Sequence, residues 1–244
     1  MKTFIIQTFK NEIVYDFTLE IKEAIKYHNW FYNCNDFEYK LIDNINEIYI
    51  DKNRLDDYIP VGSIDFVLDF YKQFHNIEIK PINIPKELLV PKFLQRNVVV
   101  NEEISTLNLN DNDKVFIKSK NKFKDITDIV KIKDISQNKE LIISELIEIE
   151  SEWRCFIFRN NILGIKNYQG EFLNVSNIDV IKDMINTYNK PNKAYTLDVG
   201  VVKGKTLLIE VHDFFSCGLY GFNDYRYILN MTIATHREIL QNKQ

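Results

Sequence analysis

Three short stretches carry residue types that could do chemistry together. The first is Ala194-Tyr-Thr-Leu-Asp198-Val-Gly-Val, followed by Lys203-Gly204-Lys205 and then Thr206-Leu-Leu-Ile-Glu210-Val-His212-Asp213. Glycine in a short polar connection between two apolar runs predicts a hairpin. Side chains alternate along a strand, so Glu210 and His212 are expected on one face and Leu207, Ile209 and Val211 on the other. A three-residue loop over 203–205 would set Asp198 opposite Glu210. A two-residue turn is expected to put it on the wrong face, because a one-residue slip flips every side chain. Two opposed carboxylates repel unless something cationic sits between them. Mg²⁺, a hard cation with oxygen ligands that is usually shared with substrate phosphates, would meet that need. The other reading is that one acid points to solvent and the pairing is accidental.

The second stretch is Lys114-Val-Phe-Ile-Lys118-Ser-Lys120-Asn-Lys122-Phe-Lys124. Residues 114–133 hold seven lysines against two aspartates, in a chain whose formal net charge is −4. Lys118 ends an expected strand, and the loop after it could hold a polyphosphate by point charges. It could equally be a solvated loop. The third stretch is Ser144-Glu145-Leu146-Ile147-Glu148-Ile-Glu150-Ser-Glu152-Trp-Arg154. Its four acids in eight residues read either as a hinge offering backbone groups and a carboxylate to an adenine edge, or as a charged, exposed strand edge. Arg154 is the basic residue of that run and a candidate for anion contact. Cys217 is read as a loop thiol rather than a nucleophile, Arg96 as a surface residue although it could reach a substrate site, and Tyr168 and Tyr220 as packing residues.

These residues need elements to position them. Strands are expected at 3–8, 38–42, 47–50, 114–118, 141–145, 154–158, 162–166, 194–201 and 206–212. Helices are expected at 18–30, after a Ser63 cap with Ile64, Val67, Leu68 and Tyr71 at helical spacing, at 178–188, and over 223–240. The first third alternates strand and helix, as a small α/β layer does. Pro81, Pro85 and Pro91 mark a linker. This divides the chain into 1–85, 86–140 and 141–244, an α+β organisation.

Composition excludes several classes. An apolar content of 45% argues for a packed core. No apolar run approaches the ~18 residues of a membrane span. The N-terminal stretch lacks a secretory h-region, so a cytoplasmic location is expected. Mild acidity argues against nucleic-acid coating. Three scattered cysteines argue against a disulfide framework. The chain holds no GxGxxG, no GxxxxGK[ST] and no GxSxG.

The order of the pieces (lysine at a strand end, acidic hinge, acid on one strand and E-x-H on the next) resembles the ATP-grasp superfamily. Pro60-Val-Gly-Ser-Ile-Asp-Phe-Val67, Ser151-Glu-Trp-Arg-Cys-Phe156, Ala194-Tyr-Thr-Leu-Asp-Val-Gly200 and Glu210-Val-His-Asp-Phe-Phe-Ser-Cys-Gly-Leu-Tyr-Gly-Phe222 are similar to a phage and bacterial clade of it, across residues 60–222. The resemblance implies an ATP-grasp fold: two α+β subdomains around ATP, preceded by a small α/β pre-ATP-grasp domain. It implies a ligase that activates a carboxylate as an acyl phosphate for attack by an amine. The alternatives are a kinase of the same fold, or a nucleotide-binding module without turnover. By the same resemblance Lys118 contacts phosphates, Glu145 meets the adenine amino group, and the backbone of Leu146 and Ile147 completes adenine recognition. Asp198 and Glu210 hold Mg²⁺. Arg154, and less directly Lys166, face the γ phosphate. Two features depart from the family pattern. His212 stands where asparagine is usual, so it ligates, bonds a phosphate, is structural, or yields to Asp213. The phosphate loop has no glycine, and Lys120, Lys122 and Lys124 are candidates to replace its amides.

Overall fold

The computed structural model describes residues 1–100, 107, 109–123, 125–135, 140–191 and 193–241. Three sheets carry the molecule, an α+β architecture. In the first, β1 (Lys2–Gln7) lies between β2 (Phe37–Ile42) and β3 (Tyr58–Val61), all parallel. A parallel neighbour needs a crossover, and helix α1 (Asp16–Tyr32) supplies it. The run Phe4-Ile5-Ile6 is buried on both faces of β1. Phe4 and Ile6 pack toward α1, and Ile5 toward helix α2 (Ile64–Phe70) and the wide helical turn Tyr71–His75 that continues it.

Two local expectations change here. Residues 45–47 form a 3₁₀ turn rather than part of a strand at 47–50, and the third strand is Tyr58–Val61. Pro60 fits that strand because β3 is a sheet edge, where a missing N–H is tolerated. Ser63 does cap α2, its Oγ accepting from the Phe66 amide at 3.2 Å. The buried stripe of α2 is Phe66, Val67 and Phe70, one step round from the expected Ile64 and Leu68, which are half-buried.

After the proline-rich stretch, α3 (Pro91–Leu94) opens with proline at its first turn, where the absent N–H has no helical partner to lose. The second sheet is antiparallel, in the order β4 (Val98–Val100), β7 (Leu141–Glu145), β5 (Lys114–Ser119), β6 (Thr127–Lys131). β4 has three residues, and β6 is mostly exposed Thr-Asp-Ile-Val-Lys, so neither has the alternation that marks a strand. The expected division between 140 and 141 falls inside this sheet, since β7 pairs with β4 and β5. Pairing breaks instead over 146–150.

The third sheet has the order β11 (Lys205–Asp213), β10 (Ala194–Val202), β8 (Ser151–Phe158), β9 (Asn161–Gly170), all antiparallel. One face (Trp153, Cys155, Leu197, Val199) packs on α4 (Ile178–Tyr188) and α3. The other face is divided. Phe156, Phe158 and Ala194 pack with α1 and with the C-terminal helix α5 (Tyr225–Gln241). Farther along, the same face turns polar and looks toward the second sheet. Among the described residues no helix is long and apolar enough to cross a membrane.

Candidate functional site

Lys166, Arg154, Asp198 and Glu210 form one row across the third sheet, each directly opposite the next in register. The β10–β11 turn has two residues, Lys203 and Gly204, both at positive φ (50° and 74°), which is the hairpin geometry that suits strand twist. Asp198 nevertheless faces Glu210. The register shifts between Asp198 and Val199, where β11 carries Ile209 as an extra residue. This bulge does what the odd-numbered loop was expected to do. It also moves Ile209 from the apolar face into the cleft.

The row is divided between two environments. Arg154 donates from Nε and Nη2 to the two oxygens of Asp198, at 2.8 and 2.6 Å, and from Nη1 to the Gly218 carbonyl at 3.1 Å. Its guanidinium lies 5.6 and 5.3 Å from the ring centres of Tyr168 and Tyr220, which stack on one another. Burial alone would lower the arginine's proton affinity, but the bonds to Asp198 outweigh it and hold Arg154 charged. Burial pushes Asp198 upward and the charge of Glu210 adds to that, while Arg154 works against both. An arginine fork requires an ionised acceptor, so Asp198 is a carboxylate here.

Glu210 instead opens to a cleft of about 260 Å³ between the second and third sheets. Lys118, from β5, reaches across and ion-pairs with it. Burial would raise the Glu210 carboxyl; the charge and hydrogen bond of Lys118 outweigh burial and hold it below the ordinary value. The walls are Phe116, Thr127, Ile142 and Ser144 from the second sheet, and Glu152, Tyr168 and Ile209 from the third. Tyr168 donates to Glu152 at 2.6 Å, so it lines the site rather than only packing.

Two further wall residues were not among those expected to carry the site. Arg96 donates to Ser144 Oγ at 2.8 Å and to the Leu208 carbonyl at 2.8 Å, tying the second sheet to the third. Burial lowers its pKa to about 10. Asn83, at a φ of 56°, donates to the Lys120 carbonyl at 2.9 Å, and its own carbonyl accepts from the Val211 amide at 2.6 Å. It anchors the root of the lysine loop to β11. Asn83 lies in the proline-rich linker and Arg96 between α3 and β4, where a lone asparagine or arginine carries no pattern that marks it.

The remaining candidates are placed as follows. Glu145 ends β7, and its carboxylate accepts from the Asn97 amide at 3.2 Å. Leu146 is exposed and Ile147 half-buried, in the unpaired segment between the sheets. Lys166 lines a neighbouring depression with Gly221, Phe222 and Tyr225, outside the cleft. Lys122 is exposed, and Lys124 lies outside the described residues. Phe123 tucks the loop against His212 and Phe215, with ring centres 5.6 and 5.9 Å away. His212 Nδ1 donates to the Asp213 carbonyl at 2.6 Å. Asp213 pairs with Lys193 at 2.8 Å and so does not stand in for the usual asparagine. Cys217 is buried and its thiol is pushed up to about 12, which fits an inert loop thiol.

As a three-residue metal set, Asp198, Glu210 and His212 do not converge. Among the described residues they do not bring one ligand atom each within 4.8 Å of the others. Glu210 alone fits a magnesium ion held jointly with phosphates, being a carboxylate that lines the cleft. Asp198 has both oxygens in the arginine fork. A larger cavity, about 800 Å³, lies elsewhere, between the first sheet, α5 and Lys190, Pro191 and Lys193, and none of the row lines it.

Residues 93–230, more than half of the chain, match the family model described as ATP-grasp domain, R2K clade family 2. N5-carboxyaminoimidazole ribonucleotide synthetase from Thermotoga maritima superposes with a TM-score of 0.53 at 14% identity, covering 99% of this chain and 76% of that one. D-alanine–D-alanine ligase from Bacillus anthracis complexed with ATP gives 0.50 at 14% identity, with 100% of each chain covered. The ATP-grasp ligase PsnB complexed with minimal precursor gives 0.52 at 9% identity, again with 100% of each chain covered. At these identities the likeness is one of fold. No curated protein matches the chain. The fold and the family match agree, and the chain belongs to the ATP-grasp domain family, R2K clade family 2.

Proposed function

We propose that this protein is an ATP-dependent ligase joining a carboxylate to an amine. The observation that carries the reading is the Lys118–Glu210 pair, one residue from each sheet, meeting across the cleft of an ATP-grasp fold. The substrate carboxylate attacks the γ phosphorus of ATP, the bond to the β–γ bridging oxygen breaks, and ADP leaves. The amine nitrogen then attacks the acyl carbon, phosphate leaves, and the nitrogen gives up a proton. The protein's part is positioning and charge compensation.

Lys118 is the phosphate contact in this reading. Among the described residues its one hydrogen-bond partner is Glu210, and a polyanion entering the cleft would draw it away. Glu210, once released, would hold Mg²⁺ together with the phosphates, and the ion would offset charge on the transferred oxygens. The cleft volume lies just below the ~300 Å³ at which ligand pockets begin, so a whole nucleotide requires the sheets to part. The unpaired segment 146–150 is where they could do so. Arg154 acts as a positioning residue, since its fork is engaged by Asp198 and Gly218. Lys122, Lys124 and Lys166 are assigned no contact, and Glu145, Leu146 and Ile147 are kept as the adenine-side segment.

A second reading, nucleotide binding without turnover, is favoured by one observation: the Asp198 oxygens are engaged by Arg154. Calorimetric titration with a non-hydrolysable ATP analogue, with and without Mg²⁺, tests the site. ADP release in the presence of acids and amines then separates the two readings. Absence of binding in both titrations would overturn the proposal.

A further inference from the structure

His28, Cys34 and Asp36 lie together at the C-terminal end of α1, in the first sheet layer and apart from the cleft. One ligand atom from each (a ring nitrogen, the thiol sulfur, a carboxylate oxygen) lies within 4.8 Å of the other two. His28 Nε2 is shielded from solvent, has no hydrogen-bond partner among the described residues, and sits 3.6 Å from Asp36 Oδ2. The imidazole is held between the rings of Tyr32 and Phe37, at 4.7 and 4.5 Å, so its orientation is fixed by packing. The backbone places the three residues together. Asn33 ends α1 in the left-handed conformation, the Cys34 amide bonds back to the Asn29 carbonyl at 3.0 Å, and the chain turns at once into β2. The last turn of α1 holds no basic side chain, so the negative end of a 17-residue helix points at this spot without a cation.

We infer that His28, Cys34 and Asp36 form a zinc-type metal site. Nitrogen, thiolate and carboxylate ligands are the zinc set, and three protein ligands plus one water complete a tetrahedron. Neighbouring ligands in such a shell are roughly 3.3–3.7 Å apart, so His28 and Asp36 are already spaced for it and the thiol must close a gap of up to about 1.5 Å. Thiolate and carboxylate together cancel the ion's two charges, which suits a half-buried position. Binding releases the thiol proton. The ion would pin the end of α1 to the start of β2.

Cobalt(II) is the probe, because thiolate coordination gives a sulfur-to-cobalt charge-transfer band in the near ultraviolet. The full chain, titrated with Co²⁺, should develop that band with one equivalent and lose it when one equivalent of Zn²⁺ is added. Zn²⁺ should also raise the thermal midpoint. Cys34→Ser should abolish the band while leaving the far-ultraviolet circular dichroism unchanged, and His28→Ala should weaken binding by on the order of tenfold or more. Asp36, exposed and at a strand start, provides a variant that folds: Asp36→Asn should also weaken it. A missing band in the unaltered protein would overturn the site. So would a band that survives Cys34→Ser, which would move the sulfur to buried Cys155 or Cys217.

Discussion

Asp198 stands opposite Glu210 because Ile209 is bulged out of register between them and the turn. The two acids share a face yet have separate cations, Arg154 for one and Lys118 for the other. Substitutions at the two acids therefore have different expected outcomes.

At Asp198 the outcome is structural. Asp198 is 2% exposed and Arg154 9%. Removing one partner of such a pair leaves a buried charge without compensation, at about 3–5 kcal/mol. Asp198→Ala should lose that much in urea denaturation. The double variant Arg154→Met/Asp198→Leu should recover most of it, since an apolar replacement of both partners removes the stranded charge. A single variant as stable as the parent would mean the fork does not hold the sheet.

At Glu210 the outcome is in binding. The Lys118–Glu210 side chains are about a quarter exposed, which limits the pair to roughly 1 kcal/mol. Glu210→Gln should leave the thermal midpoint within a degree or two. It should release Lys118 from its competitor, so a Mg²⁺-free ATP analogue binds up to about fivefold more tightly. The same variant should lose the Mg²⁺ dependence of binding. Calorimetry reads both effects, and an unchanged Mg²⁺ dependence would remove Glu210 from the metal's surroundings.

His236 sets a pH dependence of stability. It is 1% exposed, with Tyr71 Oη at 2.7 Å from Nδ1 and the Asp56 carbonyl at 3.1 Å from Nε2. Nε2–H donates to the carbonyl and Nδ1 accepts from the phenol, which requires the neutral ring. Burial lowers its pKa to about 4, against 6.5 for an unburied histidine. Between those values the unfolded chain holds the proton and the folded chain does not. Stability is therefore full above pH 6.5 and falls as the pH drops toward 4, by about 3 kcal/mol over the window. Carboxylates add to the loss mainly below about pH 4.5, so the slope between 6.5 and 5 belongs to the histidines, and comparison with a His236 variant separates this one from the other three. In urea melts at several pH values, His236→Asn should flatten that slope whatever it does to absolute stability.

Arg96 is expected to control how the sheets hold together. Lysine cannot reproduce a fork that reaches Ser144 and the Leu208 carbonyl at once. Arg96→Lys should cost about 1.5–3 kcal/mol. It should also speed amide hydrogen exchange in 146–150 and in β11. Unchanged exchange there would confine the residue to a local role.

Much of the scaffold was legible because its patterns are local. The doubly buried run at Phe4–Ile6, the Ser63 cap, the amphipathic α4 and α5 and the Asp198–Glu210 hairpin can each be read from a dozen residues. What was missed depends on distant partners. Nothing near Ile209 announces a bulge; it is defined only against β10. Asn83 and Arg96 look like linker residues until two sheets close on them. β7 was assigned to the wrong side of a division because strand partners, unlike strands, are not written in the local sequence. Lys193, just before β10, pairs with Asp213 near the open end of the hairpin, a contact of side-chain reach that strand alternation does not specify.

The divided face of the third sheet has a consequence for cutting the chain. Phe156, Phe158 and Ala194 are covered by α1, from residues 16–32, and by α5, which continues past residue 230 through Met231, Ile233 and Ile239. The segment 93–230 that matches the family is therefore not expected to fold on its own. Excised at those limits it would lose all of α1 and most of α5, baring an aromatic surface on the same sheet face as Arg154 and Asp198, farther along the strands. Such a fragment should self-associate rather than bind nucleotide. In this protein the boundary of the homologous segment and the boundary of the packed core are different lines.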